Sequence, residues 1–261
     1  MKLTLVGGGR MGEALLGGLL ASGWAEPGEL AVVEKVAERR EQLAVLFPGV
    51  RVLDAPEKSD GAIIAVKPGD VAAACAASAA AGVGAVLSIA AGVTIAALEA
   101  ALGDGVPVVR AMPNTPALVG AGAAAIAPGG AATDDDLAWA ESILGSVGTV
   151  VRVPERLLDA VPGLSGSGPA YGFLVAEALV EAGVLVGLPR DVATALATQT
   201  LLGSARLLAE SGELPEVLRA QVTSPGGTTA AGLRVLESAG LRAAFVEAVA
   251  AATERSRELG A

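Results

Sequence analysis

The chain has 261 residues, enough to bury a sizeable core and to form two domains of ordinary size. Its formal net charge of −10 argues against nucleic acid or an acidic membrane surface as a partner, because both would be repelled overall. Histidine is absent and the only lysines are Lys2, Lys35, Lys58 and Lys67, which removes any mechanism built on an imidazole proton shuttle or on a lysine base in the second half.

In chain order, "KLTLVG" predicts a buried strand, followed by a helix over residues 9–22. "LAVVE" is a second strand and "KVAERREQLAVLF" a charged helix, with Arg39 and Arg40 read as part of its solvated face. "GAIIAVKP" is the third or fourth strand, "VGAVLSIAAGV" the next and "VPVVRAMPN" another, while "GTVVRVP" lies near the end of the sheet. Strands separated by helices of this length imply right-handed crossovers and a largely parallel, doubly wound sheet. Residues 71–98 are uncharged, yet they are rich in alanine, broken by Gly82, Gly84 and Gly92, and flanked by Asp70 and Glu99; helix, turn and buried strand explain them better than a membrane span. Cys75 lies in this stretch as a lone small apolar residue, which rules out a disulfide framework and fits a reducing compartment. The start "MKLTLVGGG" lacks the apolar run and cleavage site of a signal peptide, so a cytoplasmic location is expected.

After Pro154 the pattern is helical throughout, with prolines near the starts of segments and glycines near their ends. This divides the chain into a dinucleotide-binding domain over residues 1–152 and an all-helical domain over residues 153–261. Several of the later helices are apolar around most of their circumference, which calls for a bundle larger than one subunit supplies and hence a homodimer at least.

"GGGRMG" places Gly7, Gly9 and Gly12 in the spacing G-x-G-x-x-G between the first strand and the first helix. Gly7 permits the tight turn, Gly9 lets a pyrophosphate approach the backbone, and Gly12 lets the helix pack close to the sheet. Glu34 ends the second strand at the distance where a carboxylate bonds the ribose hydroxyls of NADH, whereas Lys35, Arg39 and Arg40 are cations that could reach the 2′-phosphate of NADPH. NADPH and NADH both stay open as the cofactor. Near the other end, "TSPGGTTAAGL" starts a second glycine-flanked helix, in which the N–H groups of Gly227, Thr228 and Thr229 are expected to point outward as an anion cradle.

Together these pieces resemble the Δ1-pyrroline-5-carboxylate reductase family, over nearly the whole length. The resemblance is carried by "GGGRMGEALLGGL", "AVKPG", "SIAAGVT", "RAMPNTPALV" and "LSGSGPAY" through "SPGGTTAAGLRVLE". It implies a Rossmann-type nicotinamide domain followed by helices that interlock two subunits, with assembly beyond the dimer left open. It places Val6, Gly7, Gly8, Gly9, Arg10, Met11 and Gly12 around the pyrophosphate, Ala65, Val66, Lys67 and Pro68 along the cofactor, and Ala90 and Ala91 beside the nicotinamide. Substrate contacts would come from Ser224, Gly226, Gly227, Thr228 and Thr229, supported by Asn114, Thr115, Ser165 and Ser167. The substrate would be 1-pyrroline-5-carboxylate, a cyclic imine with a carboxylate, and the product L-proline; no metal is needed. From the residues alone Thr229 reads equally as a first-turn helix residue; the resemblance favours a bond to the ring nitrogen. Tyr171, in an apolar helix, reads as core packing. Three departures stand out: Arg10 replaces an uncharged amide, Glu34 stands where a small hydroxyl residue is frequent, and "VLDAPEKSDGAIIAV" is short. A β-hydroxyacid dehydrogenase or a related imine reductase would also join a Rossmann domain to a helical one, but the hydroxyacid branch wants a lysine in the helical half, which is missing; a noncatalytic dinucleotide-binding redox regulator would not require "SPGGTT".

Overall fold

The computed structural model describes residues 1–260. They form two compact units, residues 1–167 together with 251–260, and Gly168–Ala250.

The first unit is built on an eight-stranded sheet: β1 (Leu3–Val6), β2 (Leu30–Val33), β3 (Arg51–Leu53), β4 (Gly61–Ile64), β5 (Val86–Ser88), β6 (Val108–Met112), β7 (Gly122–Pro128) and β8 (Gly148–Arg152). Their order is β3-β2-β1-β4-β5-β6-β7-β8, so the chain winds outward from β1 in one direction and then from β4 in the other. The point of reversal, between β1 and β4, is where such sheets bind ligands. All neighbours are parallel except β6 and β7, which pair antiparallel with Met112 opposite Ala125. Five helices accompany the strands: α1 (Arg10–Ala21), α2 (Ala37–Leu46), α3 (Val71–Ala80), α4 (Ile95–Leu102) and α5 (Asp134–Gly145).

Alternation along the strands feeds two cores. Leu3, Leu5, Val32, Ile63 and Leu87 pack on one face with Leu15, Leu16 and Leu19 of α1, while Val6, Val33, Ala62, Ile64 and Val86 pack on the other with Val71, Cys75 and Leu98. The three α1 leucines have no exposed surface, and burial of each stabilises the fold by about 1.5–3 kcal/mol. The uncharged stretch forms α3, a turn and β5 before α4 begins, as its composition predicts. Trp139 of α5 lies over Gly61, where an added Cβ would come within 2.3 Å of the indole. Trp24 donates from Nε1 to Ser142 Oγ at 2.9 Å, and the Lys2 ammonium sits 4.2 Å from the centre of its ring.

The unit continues past residue 152. Helix α6 (Glu155–Leu158) buries Leu158 beside Ile95, Ala125 and Ala127 and is followed by a π-turn at Pro162–Gly166. The expected division at 152/153 marks where helical sequence begins, whereas contacts hold residues up to 167 with the sheet.

The second unit contains α7 (Gly168–Leu185), α8 (Arg190–Ser211), α9 (Pro215–Gln221), α10 (Thr228–Ser238) and the first half of α11 (Leu241–Gly260). Helices α7 and α8 pack against each other, with Gly183 against Ala193. Among the described residues of this unit only Ala193 and Ala197 are buried. Phe173 is 67% and Leu174 65% exposed on α7, so an apolar helix is left without the cover its composition demands. By length and composition alone residues 155–185 would also suffice to cross a membrane.

Candidate functional site

At the carboxyl ends of β1, β2 and β4 a cleft of about 510 Å³ opens. Of the residues expected to hold a dinucleotide, Val6, Gly7, Gly9, Glu34, Lys35, Ala65, Val66 and Lys67 line it. Gly8, Arg10, Met11, Gly12, Pro68, Ala90 and Ala91 do not. Arg10 opens α1 and is exposed, whereas Met11 packs on the core and Gly12 is buried. Pro68 and Ala91 are exposed, and Ala90 is buried in the loop that follows β5.

The glycine spacing has a steric basis. Gly7 has φ +116°, and a Cβ there would stand 2.5 Å from the Ala65 carbonyl oxygen; a Cβ on Gly12 would stand 2.2 Å from the Gly7 oxygen. Gly9 has no atom within 4 Å of such a Cβ. It caps α1 without a side-chain bond, so the N–H groups of the first turn receive no side-chain cap and the positive end of the helix dipole lies behind them. The loop therefore fits a pyrophosphate: it is closed where the backbone packs and open where an anion would approach.

Three polar side chains brace this loop. The Glu34 carboxylate accepts from the Gly8 N–H at 3.1 Å and from the Val36 N–H at 3.0 Å. Arg39 donates from Nε to the Gly8 carbonyl at 2.8 Å and pairs with Glu13, and Arg40 Nη1 donates to the Glu34 and Lys35 carbonyls at 2.9 Å. The solvated face expected for Arg39 and Arg40 is thus corrected: both are half-buried and tied to backbone oxygens that the glycine loop and the β2–α2 turn leave free. Sequence spacing conceals this, because Gly8 and Arg39 lie 31 residues apart. Lys35 is exposed and faces Asp70 at 3.6 Å.

A buried arginine organises the region beyond β5. Arg110 on β6 donates to Glu155 at 3.0 Å and Asp159 at 3.1 Å, and Glu155 also accepts from the Ile95 N–H at the start of α4 at 2.7 Å. Asn114 is buried as well; its Nδ2 donates to the Ser165 carbonyl at 3.0 Å and its Oδ1 accepts from the Ala123 N–H at 2.8 Å. Asn114 and Ser165 are brought together, but the amide spends itself on backbone groups. Thr115 is exposed, Ser165 Oγ donates to the Val161 carbonyl at 3.3 Å, and the Ser167 N–H closes the π-turn onto Pro162 at 2.7 Å.

In the second unit, residues 224–229 form a tight corner. Gly226 has φ +70°, Gly227 caps α10 without a side-chain bond, and a Cβ on Gly227 would stand 2.3 Å from Ser224 Oγ. The Gly227 N–H donates to the Ser224 carbonyl at 3.1 Å, so it is spent on the turn and is not part of the outward set expected for it. Thr228, Thr229 and Ala230 are the first helical residues, and their N–H groups have no carbonyl one turn earlier to bond. Thr228 and Ser224 are exposed and Thr229 is half-buried. At the far end of α10, Arg242 hydrogen-bonds the Glu237 carboxylate and holds its pKa below the usual range.

A family model described as pyrroline-5-carboxylate reductase dimerisation matches residues 155–259, and one described as NADP oxidoreductase, coenzyme F420-dependent, matches residues 2–92. A pyrroline-5-carboxylate reductase of Synechocystis is 47% identical over 100% of this chain and 98% of its own length. The chain belongs to the pyrroline-5-carboxylate reductase family. A solved reductase of Coxiella burnetii, 37% identical, superposes with a TM-score of 0.94 over 100% of this chain and 98% of that one. The Plasmodium falciparum enzyme, solved with NADP bound, is 29% identical with a TM-score of 0.85 over 100% and 98% of the two chains. In this reductase the dimerisation match begins at α6 and spans the helices whose apolar faces are left uncovered. Tyr171, expected in the core, is half-buried near the start of α7.

Proposed function

We propose that the chain reduces the C=N bond of 1-pyrroline-5-carboxylate to give L-proline, with NADH or NADPH as the reductant. The reduced nicotinamide, when bound, supplies hydride to the imine carbon. The residues of this chain then have three tasks. Val6 to Met11 and Gly12 hold the pyrophosphate, Ala65, Val66, Lys67 and Pro68 run along the dinucleotide, and Ala90 and Ala91 border the nicotinamide. Ser224, Gly226, Gly227, Thr228 and Thr229 form the substrate corner: with the Gly227 N–H spent on Ser224, the N–H groups of Thr228, Thr229 and Ala230 bind the carboxylate, an attraction of about 0.3–1 kcal/mol when exposed and up to about 2 kcal/mol when partly buried. Thr229 bonds the ring nitrogen and orients it. A protonated imine already draws hydride, so a chain without histidine needs no strong base; it needs alignment at about 3–3.5 Å and exclusion of water.

What carries the reading is the presence, in a chain matched end to end by reductases, of two separate glycine-flanked helix starts that both lack side-chain caps. One suits a diphosphate and the other a carboxylate. The working unit in this reading is a cytoplasmic homodimer with interlocked C-terminal helices, able to assemble further.

Purified protein mixed with pyrroline-5-carboxylate and either reduced cofactor should consume the reduced-nicotinamide absorbance; cofactor binding without turnover would refute the activity. Thr229→Ala should lower kcat by roughly 10- to 100-fold while Thr229→Ser retains most of it, in the range of a lost transition-state hydrogen bond. Crystals grown with proline should show its carboxylate on the N–H groups of α10, and density elsewhere would reject the corner.

A further inference from the structure

The adenosine end of the cleft carries its charges in a revealing arrangement. Glu34, Lys35, Asp54, Lys67 and Asp70 line the cleft, three carboxylates against two ammonium groups. The arginines nearest the end of β2 contribute nothing to it, because Arg39 is tied to Gly8, Glu13 and Gln42, and Arg40 to the backbone of Glu34 and Lys35. Glu34 is fixed by two backbone N–H donors, at 3.1 and 3.0 Å, and cannot swing aside without breaking both. The position at the end of β2 is where the ribose 2′-substituent is read. Lys67 follows β4, on the opposite side of β1, so of the two cations lining the cleft Lys35 is the one on the β2 side, placed to meet a 2′-phosphate. Lys35 is instead paired with Asp70, at the start of α3, at 3.6 Å.

We propose that Asp70 acts with Glu34 as a specificity determinant that makes this enzyme favour NADH over NADPH: a fixed carboxylate repels the 2′-phosphate, and Asp70 withholds the mobile ammonium that would neutralise it. This deepens the reading of the cleft as a nicotinamide dinucleotide site and rests on it. Both Lys35 and Asp70 are more than half exposed, so the contribution of Asp70 is screened by salt whereas that of half-buried Glu34 persists.

Equilibrium titration of the full-length protein with NADH, NADPH, 5′-AMP and 2′,5′-ADP tests this without any turnover. The unmodified protein should bind NADH at least 10-fold tighter than NADPH, and 5′-AMP tighter than 2′,5′-ADP. Asp70→Asn should lower the NADPH-to-NADH ratio of Kd values about 3- to 5-fold at low salt, with the effect shrinking at 500 mM salt. The same change made together with Lys35→Ala should give no gain, and Glu34→Ser with Asp70→Asn should bring the ratio to one or below. Equal or tighter binding of 2′,5′-ADP by the unmodified protein would overturn the inference, and so would an Asp70→Asn gain that survives removal of Lys35. Failure of all four ligands to bind would remove the dinucleotide site itself and the inference with it.

Discussion

Gly9 and Gly12 belong to one motif, yet their surroundings predict opposite failures when either becomes alanine. A Cβ at Gly9 meets nothing within 4 Å, and the residue has φ −72°, which alanine adopts readily. Gly9→Ala should therefore cost no more than the roughly 1 kcal/mol by which alanine is the poorer N-cap, a fall in Tm of about 2–4 °C for a chain of this size. The new methyl occupies the open approach to the first-turn N–H groups. Losing one or two hydrogen bonds to a charged phosphate, each worth about 1.5–3 kcal/mol, weakens the dinucleotide Kd by roughly 10-fold to about 20,000-fold. At Gly12 the methyl would stand 2.2 Å from the Gly7 oxygen, and that oxygen is backbone, so α1 must shift away from the sheet. Overpacking of that kind costs about 1–3 kcal/mol, which lowers Tm by roughly 2–12 °C. Thermal melts of the ligand-free variants, paired with fluorescence titration of reduced cofactor, separate the two outcomes. A Gly9→Ala protein that binds cofactor within twofold of the parent would refute the assignment of the open position to the pyrophosphate.

Other consequences are as direct. Burial pushes the Cys75 thiol up to about 11 from 9.0, so the unfolded chain loses this proton first. Its contribution to stability is whole below pH 9 and is lost as the pH rises toward 11, so between those values the parent should lose about 2–3 kcal/mol more than Cys75→Ala in denaturant titrations. Asn114→Ala removes the side-chain bonds to the Ala123 N–H and the Ser165 carbonyl, and at about 1–3 kcal/mol for each group left unsatisfied it should lower the melting temperature whether or not substrate is present. Phe173→Ala removes a ring that is 67% exposed in the single chain, and sedimentation analysis should show dimer affinity reduced by at least 10-fold if the dimer covers it.

Much of this molecule is legible in its sequence, for identifiable reasons. The strands "LTLV", "LAVV" and "GAII" are buried along their whole length, apolar apart from Thr4, because both of their faces are covered, and the glycine spacing is forced by backbone contacts such as Gly7 to Ala65. By contrast β7, "GAAAIAP", has one β-branched residue in seven and gave no strand signal; tertiary pairing with β6 and β8 overrides its low propensity. The three-residue edge strand β3 is too short to announce itself. At the site, the glycines and Glu34 were readable through motif spacing, but the engagement of Arg39 and Arg40 with the loop depends on where α2 folds back. The spent Gly227 N–H was hidden for a related reason: the turn at Gly226 carries it onto Ser224, and only the backbone path reveals that bond.

Trp24 and Trp139 are the only tryptophans in the chain, and both lie within Met1–Ser167. Indole emission is therefore a reporter for the sheet-containing unit alone, while the ellipticity of the long helices α7 and α8 comes from residues that carry no tryptophan. A denaturation experiment recorded by both signals will show whether the two units melt as one cooperative body or in sequence, with no label introduced.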